Sequence, residues 1–278
     1  MTGLRVLMLA AVAAAWTGSA PGAVRAEERV DLELVLAADV SLSMDIRELR
    51  LQRAGYAAAI QAPPVIDAIE QGFDGKIAVT FVEWAGTADQ HVTVPWHTIT
   101  SRADAERFAA AIEAAPLRQA RRTSIASALA TSAALFEDNG YRGYRRVIDV
   151  SGDGPNNQGK AVHVVRDGIV AEGIVINGLP MMLDPLPVDW YNIPDLDAYY
   201  RECVIGGIGA FYVPVQNMAE FEDALIRKLV LEIAGLPPAP RLTLATTTLA
   251  ATTLAATAEA YDCLVGEKLW RRRMQFLE

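Results

Sequence analysis

The residues best suited to chemistry are Asp39, Ser41 and Ser43, in the run Asp39-Val40-Ser41-Leu42-Ser43. An apolar run, Leu32 to Ala38, precedes them and reads as a buried strand, and Met44 to Ile60 follows and reads as a helix. A carboxylate and two hydroxyls at alternate positions past a strand's C-terminal end turn their oxygens toward one point. Clustered hard oxygens of this kind suit a small hard cation such as Mg²⁺. Standing alone the pattern is weak, because Asp and Ser are common turn and capping residues. Two further polar segments strengthen it: Arg121-Arg122-Thr123-Ser124 opens a helix, and Ser151-Gly152-Asp153-Gly154 ends a strand. Singly, Thr123 reads as a helix cap and Asp153 as a turn residue. Together they fall beyond the C-terminal ends of strands, where doubly wound sheets gather their ligands.

Strands and helices must alternate to put these residues there, and they do. Strand patterns at Asp31–Ala38, Lys76–Ala85, Arg145–Ser151, Ile174–Asn177 and Phe211–Val215 are interleaved with helical patterns at Met44–Ile60, Ser101–Ala115, Thr123–Glu137, Gly159–Glu172 and Ala219–Ala234. His91–Trp96 follows a short turn and pairs as a hairpin. The expected fold is α/β: a doubly wound, mostly parallel six-stranded sheet with one antiparallel edge strand, Rossmann-like, over residues 29–235.

Composition narrows the function. With 52% hydrophobic residues the bulk of the chain is not disordered, and a net charge of −9 with scattered basic residues argues against nucleic acid as a partner. Residues 1–26 read as a signal peptide: a basic start, an apolar Val6–Trp16 run and a Val24-Arg25-Ala26 cleavage site. That run is shorter than the roughly 20 residues that span a bilayer. No later stretch spans either, so the mature chain is expected to be soluble and exported, periplasmic or secreted. Residues 236–278, opening with Pro237-Pro238-Ala239-Pro240 and rich in Thr and Ala, read as a flexible tail. An exported chain permits a disulfide between Cys203 and Cys263; two separate thiols are the alternative.

The frame Leu-Ala-Ala-Asp39-Val-Ser41-Leu-Ser43-Met, then Arg-Thr123-Ser-Ile-Ala-Ser-Ala-Leu, then Val-Ile-Asp-Val-Ser-Gly-Asp153-Gly resembles the von Willebrand factor A domain over about residues 31–233. The resemblance implies a metal-ion-dependent adhesion site, with Asp39, Ser41, Ser43, Thr123 and Asp153 as its five ligands. It implies Mg²⁺, with Mn²⁺ or Ca²⁺ as alternatives, and a partner protein whose exposed Asp or Glu completes the coordination. The Ser-Gly-Asp-Gly turn departs from the commoner Ser-Asp-Gly. The chain also resembles a bacterial group of exported A-like proteins of uncharacterised function, through the Tyr199-Tyr200-Arg-Glu-Cys203-Val-Ile-Gly-Gly stretch among others.

With no Cys or His in the cluster, zinc is disfavoured. His91 and His97 flank the edge strand, and His163 lies one turn into the helix after Asp153. No G-x-S-x-G, H-E-x-x-H or phosphate-loop pattern occurs. The chain is therefore expected to be a metal-dependent binding module and not an enzyme. A metal-dependent hydrolase is the rival, as is a scaffold that binds through residues 180–197 without metal. In that loop Asp184, Trp190, Tyr191 and Asn192 are candidate partner contacts. The alternative is that the aromatics pack over the loop's own base. Asn156 and Asn157, just past Asp153, either orient the site or make a turn.

Overall fold

A computed structural model describes residues 26–183, 193–235 and 260–276. A short strand β1 (Glu28–Val30) leads into β2 (Leu32–Asp39), then α1 (Ile46–Ile60), α2 (Pro63–Glu70), β3 (Ile77–Trp84) and β4 (Gln90–Ile99). Next come α3 (Arg102–Ala114), α4 (Ile125–Ala134), β5 (Tyr141–Gly143), β6 (Arg146–Gly152), α5 (Val162–Ala171) and β7 (Val175–Pro180). The chain continues through α6 (Leu196–Tyr199), a π-helical turn at Tyr200–Val204, α7 (Phe221–Ala234) and α8 (Val265–Phe276).

The main sheet has the order β4-β3-β2-β6-β7, with β3·β4 its one antiparallel pair. β2 is its centre, buried along its whole length. Leu32, Leu34 and Leu36 point into one core with α1, α2, α3 and α7; Val35 and Ala37 point into the other with α4 and α5. Period-2 alternation between two apolar layers explains why the sequence reads as a continuous apolar run. The chain leaves β2 toward β3 on one side and returns to β6 on the other. The switch in strand order therefore lies at β2 and β6, the two strands that end in Asp39 and in Gly152 followed by Asp153.

Three expectations change. Among the described residues the main sheet has five strands, because Phe211–Val215 makes only isolated parallel bridges, Gly178 of β7 with Tyr212 and, just past β7, Met181 with Val215. Pro214 and the neighbouring turns interrupt a regular ladder there. A separate two-stranded parallel sheet pairs β1 with β5, which the sequence does not announce because each strand has only three residues. The C-terminal segment is not a tail throughout: Val265–Phe276 is a helix, reached after a disulfide between Cys203 and Cys263. The proposed signal segment up to residue 25, the candidate contacts Asp184, Trp190, Tyr191 and Asn192, and residues 236–259 lie outside the described residues. No helix among the described residues is long and apolar enough to cross a membrane.

Two sets of buried charges cross the layers. Arg53 of α1 donates from Nε and Nη2 to Glu83 of β3 at 2.7 and 2.8 Å and also bonds the carbonyls of Ala115 and Pro116. On the other side of the sheet's centre, Lys228 of α7 pairs with Asp149 of β6 at 2.6 Å and with Glu232, while Asn177 donates to Glu232 at 2.9 Å.

Candidate metal centre

β2 delivers Asp39 as its last residue, and the chain turns at once. The Ser41 amide donates to Asp39 Oδ1 at 2.7 Å, and the turn closes with Met44 N on Ser41 O at 3.2 Å. The hydroxyls of Ser41 and Ser43 are 2.8 Å apart, and Ser43 Oγ donates to Asp153 Oδ1 at 2.7 Å. Four of the five residues singled out by the sequence thus form one connected group, although Asp153 is 110 positions from Ser43 in the chain. Parallel pairing of β2 with β6, with Ala38 opposite Ser151, brings them together.

Thr123 reaches the same edge through its backbone. Ala120 N donates to Val40 O at 3.0 Å and Ser124 N to Ala85 O at 2.8 Å, which lays the loop across the ends of β2 and β3. Asn157 holds Thr123 from both sides, accepting from its amide at 3.0 Å and donating to its carbonyl at 2.8 Å. Arg122 has φ of 77°, a left-handed conformation uncommon outside glycine and found at strained functional turns. Ser124, and not Thr123, caps α4: its hydroxyl accepts from Ser127 N. The capping explanation for Thr123 therefore falls away.

Asp39 is fully buried. Burial first, and then the neighbouring Asp153 carboxylate, push its pKa well above the usual carboxylate range, against hydrogen bonds from Ser41 and a smaller backbone contribution from Asp153 that pull it down. Its Oδ2 has no hydrogen-bond partner among the described residues. Gly152 makes the room beside that atom, since a Cβ there would lie 3.1 Å from Asp39 Oδ2. Two carboxylates crowded together, hydroxyls between them and an orphaned buried oxygen fit a hard divalent cation, whose charge would offset the repulsion. Among the described residues no group of three or more His, Cys, Asp or Glu side chains is placed to hold a metal. The hydroxyl-rich set is of a different kind from such clusters.

Residues 29–237 match the family described as "Protein of unknown function (DUF1194)". The chain belongs to the DUF1194 family. No curated protein matches it. Solved structures do. Proximal thread matrix protein 1 from the mussel byssus is similar at 15% identity and a TM-score of 0.52, over 75% of the DUF1194 chain and 49% of its own. A further structure of that protein, with a zinc-occupied MIDAS motif, matches at 14% identity and a TM-score of 0.50, again over 75% and 49%. The pilus adhesin SpaC from Lactobacillus rhamnosus GG matches at 11% identity and a TM-score of 0.51, over 75% of this chain and 32% of its own. The DUF1194 chain thus spans about half the length of the mussel protein and about a third of the adhesin. These likenesses are of fold, and the fold is the von Willebrand factor A type that the sequence resemblance implied.

Sequence reasoning raised Asn156 as an orienting or turn residue but gave Tyr199 and Glu267, its partners here, no role. Tyr199 accepts from Asn156 N at 3.1 Å, and Asn156 Nδ2 donates to Glu267 of α8 at 2.7 Å. The Arg122 guanidinium lies 3.4 Å over the Trp270 ring. The cysteine pair was the one signal in the sequence that tied residues beyond 260 back to the domain.

Proposed function

We propose that this DUF1194 chain is a metal-dependent protein-binding module. A divalent cation held by Asp39, Ser41, Ser43, Thr123 and Asp153 grips an exposed Asp or Glu of a partner. The observation that carries this reading is the Ser41–Ser43–Asp153 hydrogen-bonded chain beside a buried Asp39 with one unpartnered oxygen. When bound, the cation supplies a Lewis-acidic open position for the partner's carboxylate. The chain's own residues do the rest. Ser41, Ser43 and Thr123 are neutral donors, so only Asp39 and Asp153 offset the cation's charge, leaving attraction for a third, external carboxylate. Asn157 fixes the Thr123 backbone, and Ser41 N fixes Asp39.

Mg²⁺ is the finer reading of the metal, because every donor is a hard oxygen; the zinc-occupied motif of the mussel protein places Zn²⁺ in the same test panel. His91 and His97 belong to β4, where His97 Nδ1 bonds the Pro95 carbonyl, and His163 belongs to the start of α5.

The test uses immobilised protein and two peptides of equal length, polyglutamate and polyglutamine. With Mg²⁺, Mn²⁺ and Zn²⁺ tested side by side, retention of polyglutamate in Mg²⁺ or Mn²⁺, lost in chelator, is the expected result. Equal retention of both peptides with and without metal would favour binding through the 180–197 loop instead. Gly152→Ala is expected to weaken cation binding about tenfold, or ~1.4 kcal/mol. Its new methyl would press on Asp39 Oδ2 and the Tyr200 hydroxyl, the latter only 2.8 Å from the Cβ position. Calorimetric titration with Mn²⁺ reads the change, and an unaltered affinity would mean that Asp39 takes no part.

A further inference from the structure

The turn that follows α6 is not used by the reading above, yet it reaches the site from behind. Tyr199 and Tyr200 are both fully buried where α6 passes into the π-helical turn. The Tyr200 ring runs across the sheet edge over two glycines. A Cβ at Gly178 of β7 would lie 2.6 Å from its Cδ1, and one at Gly152 of β6 would lie 2.8 Å from its hydroxyl. Any larger residue at either position would block that path. The same Gly152 position is 3.1 Å from Asp39 Oδ2 and 3.3 Å from Trp84 Cζ2. Two buried polar atoms therefore border one small space walled by the Trp84 ring: Asp39 Oδ2 and the Tyr200 hydroxyl, neither with a hydrogen-bond partner among the described residues. Unsatisfied buried polar groups are costly and uncommon, and two side by side mark a place built for something other than stability.

The turn is anchored on its far side too. Tyr199 takes the Asn156 amide, and Asn156 Oδ1 accepts from Ala126 N at 3.1 Å, at the start of α4 just past Thr123. Cys203, in the same turn, is bonded to Cys263 ahead of α8, and Glu267 of α8 returns to Asn156. One short segment thus lies against Gly152 beside Asp39, holds Asn156 in the loop that carries Asp153 and, through Asn156, is linked to the helix start that follows Thr123.

We infer that the Tyr199–Cys203 turn is a supporting layer for the proposed metal centre, in which Tyr200 is a positioning residue whose hydroxyl, unpartnered in the metal-free protein, would donate to the distal oxygen of Asp39 once a cation is bound. This rests on the metal-dependent reading. The hydroxyl would then hold one oxygen of the carboxylate and keep the ionised group oriented for the cation with its Ser41 contact intact. Tyr200→Phe removes that donor and nothing else, since the ring and its path over the glycines stay.

The experiment compares wild type, Tyr200→Phe and Asp39→Asn by calorimetric titration with Mn²⁺ and by thermal melting without metal. The expected result is an affinity for Mn²⁺ about tenfold weaker in Tyr200→Phe, within the 10–100-fold range of such outer partners. Its metal-free melting temperature should be equal to or above the wild type's, because a buried unpartnered hydroxyl has gone. A purely structural role would lower the melting temperature and leave the affinity alone, and that outcome overturns the inference. Wild type that binds Mn²⁺ with Tyr200→Phe binding equally well sinks this inference while sparing the metal centre. Wild type that binds none sinks both.

Discussion

Asp39→Asn is expected to melt higher than wild type in the absence of metal and to lose all stabilisation by divalent cation. In the metal-free protein Asp39 is buried, faces Asp153 and has an oxygen without a hydrogen-bond partner among the described residues. Asparagine keeps an acceptor for the Ser41 amide and removes the charge. Relief of an uncompensated buried charge should raise stability by about 1–2 kcal/mol, or roughly 2–8 °C in melting temperature. In wild type, cation at 100 times its dissociation constant adds ~2.7 kcal/mol, and in the variant it should add nothing. A site that stabilises only when filled, and whose ligand destabilises the empty fold, is what a functional constraint looks like. Scanning calorimetry of both proteins with and without Mg²⁺ measures the crossing. A variant that melts lower than wild type without metal would mean that Asp39 serves the fold.

The second large effect lies deeper. Lys228→Met should cost ~3–5 kcal/mol, because it strips the one buried cation from between two carboxyl groups. Lys228 and Asp149 are wholly inaccessible, and Glu232 sits beside them under α7 with Asn177 as a further partner. Arg145, which bonds the carbonyls of Glu232 and Ile233 at 2.6 Å, is the next charge out, and Tyr56 packs close to Asp149. Burial first, then Asp149, push Glu232 from its usual 4.5 up to about 7. A carboxyl with a raised folded pKa favours the fold while it is protonated. Stability from this group is therefore complete below pH ~4.5 and declines as the pH rises to about 7, where it levels off. Glu232→Gln should remove that slope. Lys228→Met should steepen it, because neither carboxyl then has a cation to ionise against. Urea denaturation across pH 4.5–8 reads both, and a slope unchanged in Glu232→Gln would assign it to another group.

Much of the fold was legible because it depends on local pattern. The Leu32–Asp39 run alternates between two cores, and each later strand is bounded by turn residues, so the strand and helix order follows from periodicity alone. Asp39, Ser41 and Ser43 were legible because they are close in sequence, and Asp153 because Gly residues frame it. Their meeting was not local, and it needed parallel pairing of β2 with β6. α8 was hidden because its sequence is polar and the segment before it is rich in Thr and Ala. Its place is set by tertiary contacts: the Cys203–Cys263 bond, Trp270 under Arg122, and Glu267 on Asn156. Tyr199 and Tyr200 entered the sequence reading only through the family resemblance of their stretch. Only the empty side-chain positions of Gly152 and Gly178 on neighbouring strands reveal where the second of them goes.

The central claim is that one cation sits among these five residues, and a crystal of the protein soaked in Mn²⁺ tests it most directly. Anomalous difference density should give one strong peak within bonding reach of the Ser41 and Ser43 hydroxyls, absent from Asp39→Asn crystals. A peak elsewhere, or density between Ser41, Ser43 and Asp153 that stays featureless at saturating Mn²⁺, would contradict it.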